Sequence, residues 1–446
     1  MPASIAVPLA VPRERPVDLV GAFQALAAGA AELFWLDAGA RADDGWSFLG
    51  TGDRAATDDL RGLRVGGAVD TPSPAGPFAG GWVGWLGYEE AAAEVGAPVS
   101  AGGEVGAWIR ARRWIALDHA SGHAWAVIAD DRTMEADAAQ RAAAEWAREA
   151  ERLLENPVSA VPEPREPFVE AAGRHTPLQY AALIGRCHDA IRAGDAYQLC
   201  LTTRFTVDTA VDPVEVYLRL RETSRTGRGA FLRVGELAVC SATPEQFLRV
   251  DAGVVRTRPI KGTRPRGADP IEDAALAAEL LASEKERAEN VMIVDLMRND
   301  LARVSEPGSV VVDALLVVES YPHVHQLVST VSGRLREGVT FGELLLRTFP
   351  AGSMTGAPKL SAMTILHELE RGPRGVFAGC LGWVGDDGDL DLAMVIRTIV
   401  VGRERAYVGA GGGITWSSEA MDEVREVGTK ARAPLAALGA ALPPGW

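Results

Sequence analysis

Apolar residues recur three and four positions apart through "DRTMEADAAQRAAAEWAREAERLLE", with polar residues between them, which predicts a helix over 131–155. The stretch after it, "NPVSAVPEPREPFVEAAGRHTP", holds five prolines and little periodicity, so it reads as a linker over 156–174. Before the helix lie strand-like runs such as "WIALD" and "AWAVIAD" and the glycine-aromatic segment "GGWVGWLGYE". Beyond the linker the pattern predicts helices over 176–193, 213–223, 270–301, 340–348, 357–371 and 418–437. Two-residue alternation predicts strands over 198–207, 230–234, 237–241, 246–250, 309–317, 325–333, 377–385, 392–401 and 406–411. The strands arrive in pairs joined by short turns such as "GDDGD", which favours antiparallel sheets over βαβ units. An α+β protein with large antiparallel sheets follows. It divides into an N-terminal region over 1–155 that contributes to the sheet core, the linker, and a main region over 175–440.

Composition narrows the partners more than the fold. A chain of 446 residues with 47% hydrophobic and 24% charged positions has ample core. Its net charge of −15 argues against a nucleic-acid or anionic-membrane partner, both of which need a basic footprint. No run approaches eighteen apolar residues, so no membrane span is expected. The start "MPASIAVPLAVPRERP" lacks a leading charge and is broken by prolines, so it reads as cytoplasmic and not as a signal peptide. Cys187, Cys200, Cys240 and Cys380 show no CxxC spacing, which leaves them as buried thiols and not as zinc ligands or disulfides.

Four features carry candidate chemistry. In "RPIKGTRPRG" four cations stand in ten residues, and only Lys261 among them can lose its proton and attack an electrophile. Glu286 with Glu289, and Glu423 with Glu426, are i,i+3 pairs on two helices that could together hold a hard divalent ion such as Mg²⁺; solvated helix faces are the alternative. The run "VGAGGGITWSSE" places Gly409, Gly411, Gly412 and Gly413 before a helix with Ser417 and Ser418 as candidate N-caps, either as an anion-binding turn or as a plain one. Ser353 and Thr355 open a helix in the same manner. Arg397, alone in the apolar run "AMVIRTIVV", needs a carboxylate, from the protein or from a ligand.

Taken together, "PIKGTRPRG", "KERAENVMIVDLMRNDLARV", "FPAGSMTGAPK", "VIRT" and "GAGGGI…SEAMDEVREVGTKAR" resemble, in order and spacing, the chorismate-utilising enzymes. The resemblance covers about 175–440, and more loosely "FWLDAG" and "GGWVGWLGYE". It implies two large antiparallel sheets packed together with surrounding helices, closing over a buried site. Lysine in "PIKGT" resembles the aminodeoxychorismate synthase component I branch, where anthranilate synthases typically read "PIAGT". Gln198 stands where isochorismate and salicylate synthases carry a lysine that activates water. The implied reaction is amination of chorismate at C4 by ammonia, through a covalent adduct of Lys261. Anthranilate synthase component I and the isochorismate or salicylate synthases are the alternatives.

The resemblance also implies roles. Glu245 would protonate the departing hydroxyl, and Glu289 and Glu426, helped by Glu286 and Glu423, would hold Mg²⁺. Arg397 and the amides of Gly411, Gly412 and Gly413 would take the enolpyruvyl carboxylate, with Thr263, Ser353, Lys430 and Gln198 as further substrate contacts. Arg258, Arg264 and Arg266, together with burial, would lower the Lys261 pKa until its amine is free near neutral pH. Two departures bear on the outcome. Gln326 replaces a histidine tied to pyruvate elimination, and strand alternation keeps His325 from substituting for it. The "NPxPY" motif of tryptophan-binding members is missing, which argues against tryptophan feedback. No Gly-x-Cys-x-Gly elbow is present, so a separate glutamine amidotransferase subunit would supply the ammonia. The product would serve para-aminobenzoate and folate biosynthesis.

Overall fold

The chain is described from a computed structural model covering residues 4–10, 17–67, 73–129, 135–156, 167–224, 226–321 and 323–446. Its strands follow two antiparallel paths that share the strand Ala107–Asp118. On the first path, Ser4–Pro8, Ala124–Ala129, Ala107–Asp118, Trp46–Ala55, Glu32–Asp37, Gly229–Val234, Leu237–Ala242, Thr398–Val401, Ala406–Ile414 and Gln198–Val207 pair in that order. On the second, Ala107–Asp118 pairs with Gly81–Leu86, followed by Cys380–Gly385, Leu390–Met394, Gln246–Asp251, Val254–Arg258 and Val324–Arg334. Val324–Arg334 also carries Ile260–Pro265 and Val311–Ser320. Both paths draw strands from before and after residue 156.

Side-chain alternation explains why these strands form two layers and not one flat sheet. Phe34, Phe48, Val400 and Tyr407 from the first path meet Val83, Trp85, Leu381 and Trp383 from the second in a single buried cluster. Phe78 lies at its centre, with ring centroids 5.1 Å from Trp114 and 5.6 Å from Trp383. Outside the first layer pack the helices Val20–Ala27, Ala136–Leu154, Pro177–Ala193, Pro213–Thr223, Lys359–Glu370 and Ala420–Leu438. Glu284–Ala302 and Phe341–Thr348 cover the second. Among the described residues no helix is long and apolar enough to cross a membrane. The four cysteines are free and buried.

Several boundaries differ from the pattern for local physical reasons. The helix over 270–301 is two helices, Pro270–Ala282 and Glu284–Ala302. Between them Ser283 is extended, and its hydroxyl accepts from the Glu286 amide as an N-cap. The strand over 392–401 is broken, because Arg397 adopts φ +52° between Leu390–Met394 and Thr398–Val401. The glycine run is not a turn: Gly409 to Gly413 lie inside the strand Ala406–Ile414. Neither Ser417 nor Ser418 caps the last helix; its N-cap is Glu419, and the Ser418 hydroxyl accepts from the Thr415 amide. Of the linker, 157–166 lies outside the described residues, as do 1–3 and 11–16 of the N-terminal segment and 131–134 of the first helix. The end of the linker is tied down, with Val169–Glu170 pairing in parallel with Ala440–Ala441.

One buried ion pair fixes the edge of the first layer. Arg374 binds Glu370 through two nitrogens, at 2.7 and 2.9 Å, and both side chains are almost fully buried. The same guanidinium donates to the carbonyls of Cys200 (2.9 Å) and Met354 (2.6 Å), while Glu370 accepts from the Thr202 amide (2.9 Å). The Tyr88 ring lies 4.3 Å from the guanidinium. Arg374→Ala leaves Glu370 charged and unpaired in the interior, and a loss of about 3–5 kcal/mol of stability is expected in chemical denaturation. A double replacement by apolar residues of similar volume is expected to recover most of that loss.

Candidate active site

Lys261 stands on the strand Ile260–Pro265, at a bulge in its pairing with Val324–Arg334. Gly262 occupies the bulge at φ +86°, and a Cβ there would approach Leu280 Cδ1 to 2.8 Å and Glu286 Oε2 to 3.0 Å. Glycine is therefore required beside this lysine on two counts, backbone angle and space. The Lys261 ammonium Nζ is 3.9 Å from Glu289 Oε2, and its side chain is only 17% exposed. A Cβ on Gly413 would lie 3.4 Å from this Nζ and 2.6 Å from Gln198 Nε2, which places strand, lysine and glutamine around one small space.

The charge state of Lys261 reverses the expectation drawn from sequence. Burial pulls its pKa down, but Glu289, Cys200, Glu245 and Glu426 outweigh burial and leave it raised. The arginines that were to lower it are engaged elsewhere. Arg258 pairs with Glu319, Arg264 with Glu279, and Arg266 with Asp273. With these guanidiniums held by carboxylates and Glu289 beside the amine, the resting chamber holds an ammonium.

Glu245 precedes the strand Gln246–Asp251 and is buried. Burial pushes its carboxyl up to about 7, against the lowering influence of Lys261, the Ser353 hydroxyl and Lys430. It is thus a proton donor available at neutral pH. Ser353, which hydrogen-bonds it, sits on the turn Gly352–Met354. A Cβ on Gly352 would come within 2.0 Å of Leu296, so this turn is pressed against the helix Glu284–Ala302.

The two acidic helices, Glu284–Ala302 and Ala420–Leu438, face each other across this chamber. Lys285 Nζ is 3.5 Å from Glu423 Oε1, and Lys430 Nζ is 2.7 Å from Glu426 Oε1. Burial lowers the Lys285 pKa, but Glu423, Glu289, Glu426 and Glu286 outweigh it and leave it raised, so all four carboxylates lie within electrostatic reach of this lysine. Burial raises the Glu289 pKa despite Lys261 and Lys285, while at Glu426 the neighbouring Lys430 outweighs burial and lowers it. As they stand, each carboxylate is neutralised by a lysine or arginine. Among the described residues no three His, Cys, Asp or Glu side chains are assembled around one metal-sized point. Lys285 was not anticipated from sequence; its place beside Glu286 was the available signal.

The glycine strand works differently from an amide turn. A Cβ on Gly411 would meet Leu201 O at 2.4 Å, and one on Gly412 would meet Glu423 Oε2 at 2.8 Å, so these glycines make room first of all. Gly411 O accepts from Lys430 Nζ at 2.8 Å, which directs the polar groups of Gly411 away from the Gln198–Val207 ladder. Strand alternation gives Gly413 the same direction, whereas Gly412 faces the ladder. Thr398–Val401 pairs only as far as Val408, so this edge is open next to Arg397. Arg397 itself has its pKa lowered by burial, with only Glu426 acting to raise it. Among the described residues no carboxylate forms an ion pair with it, and it remains a half-buried cation beside the open strand edge.

The other residues singled out from sequence divide. Gln198 is 1% exposed, and neither its Oε1 nor its Nε2 has a partner. Thr263 is exposed. His325 points away from the chamber, with Nε2 2.9 Å from Asp273 Oδ1, while Gln326 pairs across the ladder with Thr263. Lys359 is bound to buried Asp300 at 2.7 Å, far from this chemistry in its contacts.

The chain is 41% identical over 463 residues to an aminodeoxychorismate synthase of Streptomyces pristinaespiralis, covering 94% of this chain and 64% of that one. It is 42% identical over 395 residues to an aminodeoxychorismate synthase of Streptomyces griseus, covering 86% and 53%. The chain therefore spans between half and two thirds of the length of these relatives. The crystal structure of anthranilate synthase component I from Streptococcus pneumoniae TIGR4 superposes with a TM-score of 0.73 at 32% identity, covering 90% of this chain and 92% of that one. The model of the chorismate binding enzyme family matches residues 20–436, and with nearly the whole chain inside that match, it is to this family that the protein belongs.

Proposed function

We propose that this chain aminates chorismate at C4, as an aminodeoxychorismate synthase component I. The observation that carries the reading is the pairing of an enclosed lysine with a carboxyl raised to about 7, Lys261 and Glu245, together with a half-buried arginine, Arg397, that has no ion-pair partner among the described residues. Arg397 and the open amides of Gly411 and Gly413 suit the enolpyruvyl carboxylate. The Lys261 amine, once it has shed its proton to water, adds at C2 as both ring double bonds shift, C1=C2 to C1=C6 and C5=C6 to C4=C5, and the C4–O bond breaks. Glu245 gives its proton to the departing hydroxyl. Ammonia then bonds to C4, the C2–N bond to Lys261 breaks, and the 4-amino-4-deoxy product leaves. Gln198 cannot take a proton at neutral pH, which disfavours activation of water in place of ammonia.

The family resemblance calls for Mg²⁺, and the chemistry of the donor set fits a hard cation, since four carboxylate oxygen donors lie within electrostatic reach of Lys285, which now brings positive charge. Glu289 and Glu426, with Glu286 and Glu423 alongside, would hold it, and it would neutralise the substrate's ring carboxylate. Ammonia would come from a glutamine amidotransferase subunit, and the product would enter para-aminobenzoate and folate synthesis. Anthranilate synthase chemistry is the second reading, favoured by the solved neighbour at 32% identity.

Incubation with chorismate and ammonium salts is expected to give 4-amino-4-deoxychorismate by mass spectrometry. Anthranilate with pyruvate, or isochorismate, would overturn the reading. Lys261→Ala should lower kcat by more than about 10³-fold, the scale of losing a group on which the other catalytic residues depend. Near-normal rates would remove the covalent step. Glu245 must hold its proton to act, so its contribution to kcat should fall as pH rises through about 7. Glu245→Gln should cost about 10²–10⁴-fold and flatten that alkaline limb.

A further inference from the structure

The helix Glu284–Ala302 meets the sheet through an apolar stripe with a polar residue at its near end. Ile293, Val294, Met297 and Leu301 are buried along it, and one turn before them stands Asn290, which is 0% exposed. The helical period calls for an apolar side chain there. Instead the Asn290 Nδ2 donates to Leu327 O at 3.2 Å, and its Oδ1 accepts from the Ser329 hydroxyl at 2.6 Å. The Ser329 oxygen also accepts from the Leu316 amide at 2.9 Å, where Leu316 takes φ +57°. Ser329 then closes the link toward the lysine, since its own amide donates at 3.2 Å to the carbonyl of Pro259, the second residue before Lys261. One buried network thus joins the helix carrying Glu289 to the strand carrying Lys261.

Apolar contacts press a helix onto a sheet but leave its rotation and swing loosely fixed, because they have no direction. Hydrogen bonds do have direction. In coiled coils a single buried asparagine sets register in this way, at a cost in stability. The far end of the same helix is held by Asp300, 2.7 Å from Lys359 Nζ. The two anchors stand ten residues apart, about 15 Å along the axis. Glu289 directly precedes Asn290, so pinning one sets the direction of the other, about 100° around the helix. Without the near anchor, a swing of about 10° about the far one would carry Glu289 by roughly 3 Å. That is comparable with the whole 3.9 Å between Glu289 Oε2 and Lys261 Nζ.

We infer that Asn290 and Ser329 are positioning residues for the proposed reaction. They act by holding Glu289, with Glu286 one turn earlier, at a set distance from Lys261. The inference rests on the C4-amination reading for its kinetic consequence, and its structural test needs no turnover. A water-soluble carbodiimide joins an amine to a carboxylate only where the two touch, and mass spectrometry maps the bonds formed. Asn290→Leu combined with Ser329→Ala removes both partners of one hydrogen bond, so the urea midpoint should stay close to that of the wild type. In this double variant the Lys261–Glu289 crosslink should fall about tenfold, while the Lys359–Asp300 crosslink at the far anchor persists. The kcat with chorismate and ammonium should fall about 10²-fold, the scale of a misplacement of about 1 Å. Ser329→Ala alone, which leaves Asn290 bonded to Leu327, is the milder second variant and should show the same selective loss. Should the wild type fail to aminate chorismate, the C4 reading fails and the ratio of the two crosslinks still decides the positioning. An unchanged Lys261–Glu289 crosslink in both variants would overturn the inference. So would loss of both crosslinks in both variants, which makes the network a packing element only, or a lost Lys261–Glu289 crosslink with a normal kcat.

Discussion

The contact between Arg374 and Glu370 is the constraint on which the chamber rests. A strand at the edge of a sheet is free to slide by one residue, and such a slip would turn every side chain to the opposite face. Here the guanidinium holds the Cys200 and Met354 carbonyls while the carboxylate holds the Thr202 amide. Gln198 and the turn bearing Ser353 are thereby fixed relative to one another by a single pair. A buried ion pair contributes modestly to net stability once desolvation is counted. Its value in this position is geometric, because it ties two segments far apart in the chain to one planar group.

Charge within the chamber is balanced by lysines, and that balance defines the problem its chemistry has to solve. Burial holds Glu245 back from ionising, whereas Lys261 is kept from deprotonating by Glu289 and its other neighbours, which outweigh the opposite pull of burial. Arg397 is left with surplus charge. A ligand that brings carboxylates fits this distribution; a neutral or cationic one would leave the arginine uncompensated.

Periodicity made most elements legible, and the sandwich of antiparallel layers emerged as the paired strands implied. What failed was local and had local causes. Ser283 satisfies the Glu286 amide and splits a helix whose apolar period runs through it unbroken. Arg397 takes a left-handed backbone angle that no alternation rule anticipates in "AMVIRTIVV". The glycines of "GAGGGI" read as a turn because glycine usually signals one, yet they lie in a strand that must pass close to Gln198 and Glu423. In the candidate site, residue identity was visible and protonation was not. Whether Arg258, Arg264 and Arg266 act on Lys261 depends on where Glu319, Glu279 and Asp273 sit, and those lie on the strand Val311–Ser320 and the helix Pro270–Ala282.

The strand Ala107–Asp118 gives one half of its length to each layer: Ala107 to Arg110 pair with Gly81–Leu86, and Arg113 to Leu117 with Ala124–Ala129. A chain threaded in this way cannot be recombined like beads on a string. Any chimaera with a relative that cuts between its first and last thirds must carry matching hydrogen-bond registers on two surfaces at once. The sequences on either side of such a cut are therefore constrained to diversify together.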